Sequence, residues 1–397
     1  MKVKNLILSC AFLAGLASCF TYNGDIVGKS EMGRIVSQMD STINVIESKG
    51  KFVNPVTLNK DGSVYYCNYG DWRSGFFPGS VWLMYELTGD SRYLPYAEKY
   101  TEGIREAQNI TWNHDIGFII NCSFGNGLKL VDKQGYKDVM IKSAKSLMTR
   151  FRENAGIIQS WNTDGGWQSK RGWKCPVIID NMMNLELLFK ATELTGDSAY
   201  YNVAVSHADR TMKEHFRPDG SCYHVVDYDP ETGEVRSRQT AQGYSHESAW
   251  SRGQAWAIYG YTVCYRYTRQ QKYLDQAVKT FKMMENHKNM PSDGIPYWDM
   301  DAPDIPDTYR DASAAACIAS ALYEIASVTK DGSYRKYADK ILKTLSSDEY
   351  LAEPGRNGGF LLMHSVGSLP HGAEIDVPLN YADYYYLEAL IRKKIMR

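Results

Sequence analysis

The chain has 397 residues, with 45 Lys and Arg against 46 Asp and Glu, a formal net charge of −1 and a pI near 6.7. That balance leaves no basic excess to draw nucleic acid or an anionic lipid surface by bulk charge. Hydrophobic residues make up 44%, ample for a core, and the length allows two or three domains or one large barrel. Twenty-nine Tyr and nine Trp suit carbohydrate handling, and equally a large helical core.

The first element in chain order is a targeting segment. Lys2 and Lys4 precede an apolar run at residues 6–16, the pattern of a signal peptide and too short to span a bilayer. Leu16-Ala17-Ser18-Cys19 resembles a bacterial lipobox. The expectation is a signal peptide at 1–18, lipidation of Cys19 and one mature domain at 19–397. An ordinary signal peptide cleaved after a small residue is the alternative. No acidic run follows Cys19, so a periplasm-facing membrane anchor is expected.

Beyond Cys10 and Cys19, six cysteines are widely spaced, without a C-x-x-C pair, and the eight histidines show no H-E-x-x-H. Export permits disulfides, but this spacing is neither a disulfide framework nor a zinc site. No metal and no cofactor are expected. Cys264 and Cys317 lie in apolar helical context and read as small buried hydrophobes.

Four segments share the pattern Thr-x4-Tyr-x3-Ala: Thr88/Tyr93/Ala97, Thr195/Tyr200/Ala204, Thr268/Tyr273/Ala277 and Thr329/Tyr334/Ala338. Each follows an apolar run of helical period, at 81–87, 185–194, 256–267 and 314–328. The pattern predicts a helix ending at a polar turn, then a second helix whose first turns face back onto it, often opened by an Asp or Ser cap. Tyr136 marks a degenerate fifth copy. The copies recur about every sixty residues, the length of a helical hairpin with its loops, and such hairpins must stack or close to bury their faces. The length accommodates about six hairpins. The fold expected is all-α, an (α/α)6 double-ring barrel, with an open superhelix as the alternative. Residues 299–307 read as a Pro/Asp-rich loop, and strand-like stretches such as 223–228 as local hairpins.

The loops before the apolar helices carry the candidate chemistry. Residues 71–79, D-W-R-S-G-F-F-P-G, form an aromatic loop whose Gly75 and Gly79 suit close approach, either to a ligand or to a neighbouring helix. Asp115, in W-N-H-D-I-G-F, is a candidate acid or simply an Asx-turn residue. Asp180 stands inside the apolar run V-I-I-D-N-M-M-N-L. Burial there would raise its pKa and let it keep a proton to donate; the plainer reading is an N-cap for a helix at 181–194.

Residues 242–256, Q-G-Y-S-H-E-S-A-W-S-R-G-Q-A-W, place Arg252 between Trp250 and Trp256. A guanidinium matches a carboxylate bidentately and indoles stack on sugar faces, so this segment can hold an acidic sugar. Two core tryptophans and a packed ion are the alternative. These clusters recur at one phase of the repeat. In a double ring they sit where the N-terminal ends of the inner helices converge on one mouth, a setting favourable to an anion.

At this point a family resemblance is specific. The segments D-W-R-S-G-F-F-P-G-S-V-W-L-M-Y-E-L-T-G-D, W-N-H-D-I-G-F, I-I-D-N-M-M-N-L, Q-G-Y-S-H-E-S-A-W-S-R-G-Q-A-W-A-I-Y-G-Y and D-V-P-L-N-Y-A-D-Y-Y-Y-L-E-A-L resemble the unsaturated glucuronyl hydrolases of glycoside hydrolase family 88, from about Asp71 to the C-terminus. The resemblance implies an (α/α)6 barrel acting on lyase products that end in a 4,5-unsaturated uronic acid. It implies Asp180 as general acid/base, Asp115 as the second essential acid, and Arg252 as the uronate binder. His114, His224, Gln242, Trp250, Trp256 and Trp72 match pocket residues. Some streptococcal members read a sulfate with S-x-x-S-x-K; here Ser365 and Ser368 are kept and Pro370 replaces the Lys, with His371 a conceivable donor. The partner expected is an unsaturated uronate oligosaccharide of glycosaminoglycan origin, with no nucleic acid. An unsaturated rhamnogalacturonyl hydrolase of pectin fragments and a non-catalytic glycan-binding lipoprotein are the alternatives.

Overall fold

The computed structural model describes residues 27–396. The expected signal peptide, Cys10 and Cys19 lie outside the described residues. Twelve helices run through the rest: α1 (Lys29–Ser48), α2 (Phe76–Thr88), α3 (Tyr93–Glu102), α4 (Ile116–Val131, with a π-type turn at Asn121–Gly125), α5 (Gln134–Met148), α6 (Leu185–Thr195), α7 (Ser198–Glu214), α8 (Ser251–Thr268), α9 (Gln271–Glu285), α10 (Ala312–Thr329), α11 (Gly332–Leu345) and α12 (Asn380–Ile395).

Two burial patterns separate two layers. In α8 every residue from Ser251 to Cys264 is buried, and in α10 every residue from Ala312 to Tyr323. A helix apolar all round is one covered on all sides. By contrast α9 buries only Tyr273, Leu274, Ala277, Thr280, Phe281 and Met284, one stripe at helical spacing. The even-numbered helices form the inner ring, which closes where α12 packs on both α10 and α2. The odd-numbered helices form the outer ring. The architecture is an (α/α)6 barrel.

Five inner–outer pairs are hairpins in sequence, and the chain's two ends complete the sixth. Outer helix α1 docks between α3, through Tyr93 Oη to Asp40 and Tyr100 Oη to Glu47 (2.8 Å each), and the end of α11, through Arg34 to Asp348 at 2.6 Å.

The Thr-x4-Tyr-x3-Ala pattern marks the hairpin turn itself. Thr88, Thr195, Thr268 and Thr329 are each the last residue of an inner helix. Each hydroxyl donates to the carbonyl four residues back and accepts the N–H two residues on. The next residue adopts the left-handed conformation: Gly89, Gly196, Arg269 and Lys330. Asp197 and Asp331 then cap α7 and α11. One threonine thus adds a second bond to the last helically bonded carbonyl and satisfies a turn amide, which is why the position recurs.

Short antiparallel pairings decorate the barrel: β1 (Asn54–Leu58) with β2 (Val64–Cys67), β3 (Phe151–Arg152) with β4 (Ile157–Ile158), a sheet of β5 (Cys175–Ile178), β6 (Val225–Tyr228) and β7 (Val235–Gln239), and β8 (Ser365–Ser368) with β9 (Ala373–Val377). Residues 223–228 are therefore more than a local hairpin, because β6 is the middle strand and pairs with β5 across a long sequence separation. Gly75 and Gly79 serve helix packing: a Cβ there would strike Ile119 and Cys122 of α4. The cysteines from Cys67 to Cys317 are free thiols, and Cys264 and Cys317 are buried in inner helices.

Candidate active site

The inner helices all begin at the same pole, and each brings a polar or aromatic group there. Asp71 and Trp72 precede α2, Asp115 immediately precedes α4, Arg252 lies in the first turn of α8, Asp311 caps α10 and Tyr381 opens α12. Asp180 sits in a 3-10 turn, Ile179–Asn184, before α6, so it is not the N-cap of that helix.

The β5–β6 register explains the surroundings of Asp180. Ile178 pairs with Val225, and Ile179 N–H donates to His224 O at 2.9 Å. That continuation sets His224 beside Asp180, with Nε2 3.7 Å from Oδ2. Asp180 is 8% exposed and Oδ2 has no hydrogen-bond partner. Burial pushes its pKa up to about 6, against the opposing pull of Arg252 and the facing indole of Trp256.

His224 is held from behind. Its Nδ1 accepts the backbone N–H groups of Ala241 (3.0 Å) and Gln242 (3.2 Å), and its ring lies 4.6 Å from that of Trp250. Burial and the field of Arg252 keep the imidazole neutral, well below its ordinary pKa. A neutral imidazole with Nδ1 occupied carries its proton on Nε2, facing Asp180.

Asp115 repeats the arrangement. It occupies the N-cap position of α4 yet makes no capping bond. His114, fully buried, sets Nε2 3.3 Å from Asp115 Oδ1 and Nδ1 3.4 Å from the Asn184 amide. Burial first, and then the charge of Asp180, raise Asp115 to about 8. Burial lowers His114 to about 3.

Arg252 is 1% exposed. Its terminal nitrogens donate to the carbonyls of Val366 and Gly367 on β8 and to Asp311 at 3.1 Å, while Nε has no partner. Its guanidinium lies over Trp250 at 4.6 Å and Tyr381 at 5.5 Å. Gln242, half-buried, also donates to Gly367 O, at 3.1 Å. Trp256 is fully buried against Phe118 and Tyr385, so its ring is core and only its indole N–H faces the acid. Trp72 packs edge-on to Phe118 at 5.6 Å and lines the cleft. Ser365 is fully buried with an unpartnered hydroxyl, and Ser368 bonds His371 Nδ1 at 2.7 Å.

A cleft of about 450 Å3 opens beside Asp115, lined by Asp71, Trp72, Trp112, Asp115, Trp161 and Asp164 among others. Several of the buried side-chain atoms without partners belong to these residues: His114 Nε2, Asp180 Oδ2, His224 Nε2, Arg252 Nε, Trp256 Nε1 and Ser365 Oγ. Buried orphan polar atoms are rare in folded proteins and mark sites with work to do.

Sequence reasoning missed several groups here. Asp311 holds the phase of the other helix-opening acids and was findable by that rule. Trp161, Trp167 and Trp173 form one aromatic wall, legible only as a Trp- and Gly-rich loop. Asn184 and Tyr381 carried no separate signal.

Residues 49–392 match the model of Glycosyl Hydrolase Family 88. The unsaturated glucuronyl hydrolase of Formosa agariphila is 51% identical over 325 residues, covering 82% of this chain and 80% of that protein. An unsaturated chondroitin disaccharide hydrolase of Streptococcus pyogenes is 32% identical, covering 88% and 87%. Among solved structures, an unsaturated glucuronyl hydrolase specific for heparin superposes with a TM-score of 0.88 at 43% identity, over 94% of this chain and 98% of that one. A barrel whose inner helix ends carry two buried acids, matched along nearly its whole length by these hydrolases, belongs to glycosyl hydrolase family 88.

Proposed function

We propose that this chain removes a 4,5-unsaturated glucuronic acid from the non-reducing end of glycosaminoglycan oligosaccharides left by polysaccharide lyases, by hydrating the vinyl ether. The observation that carries the reading is Asp180, a buried acid raised to about 6 whose Oδ2 has no partner and whose charge is felt by Asp115 in the wall of the aromatic cleft. Such an acid holds a proton near neutral pH and can give it up.

In the proposed sequence Asp180 donates its proton to C4 of the double bond, leaving positive charge shared between C5 and the ring oxygen. The carboxylate of Asp180 then takes a proton from water as that water bonds to C5. The hemiketal opens and the glycosidic linkage comes apart. The cycle returns Asp180 to its protonated state and needs no second carboxylate as nucleophile, unlike displacement at an anomeric carbon. Asp115 with His114, and His224, position the sugar and the acid. Arg252, fixed by Asp311 and the β8 carbonyls, sets positive charge beside the uronate. Trp72, Trp250, Trp256, Gln242, Ser365 and Ser368 shape the pocket.

The test follows the ultraviolet absorbance of the 4,5-double bond with lyase products of chondroitin, hyaluronan, heparin and pectin. Absorbance should fall with the glycosaminoglycan products. Consumption of the pectin product alone would assign the chain to rhamnogalacturonyl chemistry. Binding with no consumption of any product would make it a glycan-binding protein.

We further propose that the mature chain is a periplasmic lipoprotein anchored through Cys19, on the support of Lys2, Lys4, the apolar 6–16 run and the lipobox-like L-A-S-C. Cys19→Ser should move the protein from the membrane to the soluble fraction. A wild-type chain already found there would refute the anchor.

A further inference from the structure

The inner helices end at a second pole, opposite Asp115 and Asp180, and a cavity of about 850 Å3 opens there along the barrel axis. The last turn of every inner helix reaches it, through Glu86, Lys129, Leu194, Tyr267, Ser327 and Ile395, and it runs inward as far as Phe118 and Met183. That volume lies in the range of small-molecule sites. The π-type turn of α4, Asn121–Gly125, stands in its wall, and such turns are frequent at functional sites.

The charge of the lining is negative. Six carboxylates stand against four basic side chains, and the C-terminal ends of the inner helices add their partial negative charge. Both guanidiniums are already committed. Arg266 pairs with Glu186 at 2.6 Å and Glu324 at 2.5 Å, and Arg392 with Glu324 at 3.1 Å and Glu388 at 3.4 Å. Three carboxylates thus share two cations. Glu86 meets Lys129 through Oε1 at 2.5 Å, and its Oε2 is buried without a partner. Deeper in, Tyr385 is 2% exposed and lines the cavity, and among the described residues its hydroxyl forms no hydrogen bond. Its ring lies 5.1 Å from that of Tyr384 and 5.6 Å from that of Trp256. The inner end is therefore aromatic, with Phe118, Tyr384 and Tyr385 in its wall. Acceptors short of donors, beside aromatic faces, suit an ammonium ion and repel an anion.

We propose that this axial cavity is a second binding site, separate from the active site, for a small organic cation: an ammonium group on an apolar body. The charge is held among Glu86, Glu186, Glu324 and Glu388, and the body lies against Phe118, Tyr384 and Tyr385. Phe118 also packs on Trp72 at 5.6 Å and on Trp256 at 5.4 Å, so the inner wall of this site is the underside of the active-site floor. Binding here does not depend on the reaction at the other pole.

The test is calorimetric titration of the full chain at neutral pH with benzylamine, which is protonated there, and with its neutral counterpart benzyl alcohol. Benzylamine should bind with a Kd of about 1 mM, a strength open to a ligand of this size, and benzyl alcohol at least about tenfold more weakly. Glu86→Gln, and Tyr385→Phe, which removes only the hydroxyl, should each weaken benzylamine about three- to tenfold, with thermal unfolding showing that both variants fold. Asp164→Asn, in the aromatic cleft at the opposite pole, should leave its Kd unchanged. No benzylamine binding up to about 10 mM, equal affinity for benzyl alcohol, or an affinity untouched by both Glu86→Gln and Tyr385→Phe would each overturn the site. So would a loss of affinity in Asp164→Asn, which would put the cation in the cleft instead.

Discussion

His224 Nε2 stands 3.7 Å from Asp180 Oδ2 while two backbone amides hold its Nδ1. His114 bears the same relation to Asp115 at 3.3 Å. Each buried acid therefore faces a neutral imidazole N–H rather than a cation. A cation there would hold the acid ionised. A neutral donor positions it and lets burial prevail, so both carboxyls rise.

Removing the imidazole should therefore act on turnover more than on affinity. His224→Ala is expected to lower kcat about ten- to a hundredfold, as misplacement of a catalytic group does, with KM changed little. Steady-state kinetics on an unsaturated disaccharide checks this. A loss carried wholly by KM would make His224 a substrate binder instead.

The pH dependence follows from Asp180, which must be protonated to donate. With its pKa raised to about 6, kcat/KM should hold below that value and fall as pH rises through it. Asp115, raised to about 8, keeps its proton across this range. Arg252 opposes the rise at Asp180, so Arg252→Met should move the alkaline limb to higher pH, and Arg252→Lys should leave it in place. A limb that stays put in Arg252→Met would contradict the assignment.

Close packing between inner helices positions the acids. A Cβ at Gly117 would lie 2.6 Å from Asn184 Cβ, and Asn184 Oδ1 accepts the Phe118 N–H at 2.7 Å. Gly117→Ala should destabilise the fold by about 1–3 kcal/mol, the range for overpacking, and reduce turnover by moving His114 and the 179–184 turn. Gly33→Ala in outer helix α1, where nothing lies within 4 Å, is the control. Thermal unfolding and kcat are the readouts, and equal behaviour of the two variants would contradict the packing argument.

Buried histidines give stability its own pH dependence. His215 is fully buried with neither ring nitrogen partnered, and burial, then His207, lowers its pKa from 6.5 to about 3. The unfolded chain takes up that proton below about pH 6.5 and the folded chain does not. Its contribution is thus complete above pH 6.5 and declines toward pH 3, by about 1.4 kcal/mol per pH unit. His215→Leu should flatten the fall in Tm between pH 6.5 and 4.5 relative to wild type. A slope unchanged by the substitution would contradict this.

The barrel was legible because a single threonine ends four inner helices and leaves the same spacing to Tyr and Ala each time. The site was legible in phase, since Asp71, Asp115, Asp180 and Arg252 all fall at the start of apolar helices. Pairings between distant segments were not. Arg252 reads as a free hook in the sequence, yet β8, over a hundred residues downstream, supplies the carbonyls that bind it. His224 meets Asp180 only through the β5–β6 register, and the contacts among Trp161, Trp167 and Trp173 arise within an irregular loop that has no periodicity to read.

The most direct test of the central claim is the double-bond absorbance of an unsaturated chondroitin disaccharide incubated with wild type and Asp180→Asn, with calorimetric binding in parallel. The account predicts that Asp180→Asn loses turnover by about two to four orders of magnitude, the span of general acid–base catalysis, and keeps its affinity within a few-fold. Consumption of the double bond by Asp180→Asn at the wild-type rate would contradict it.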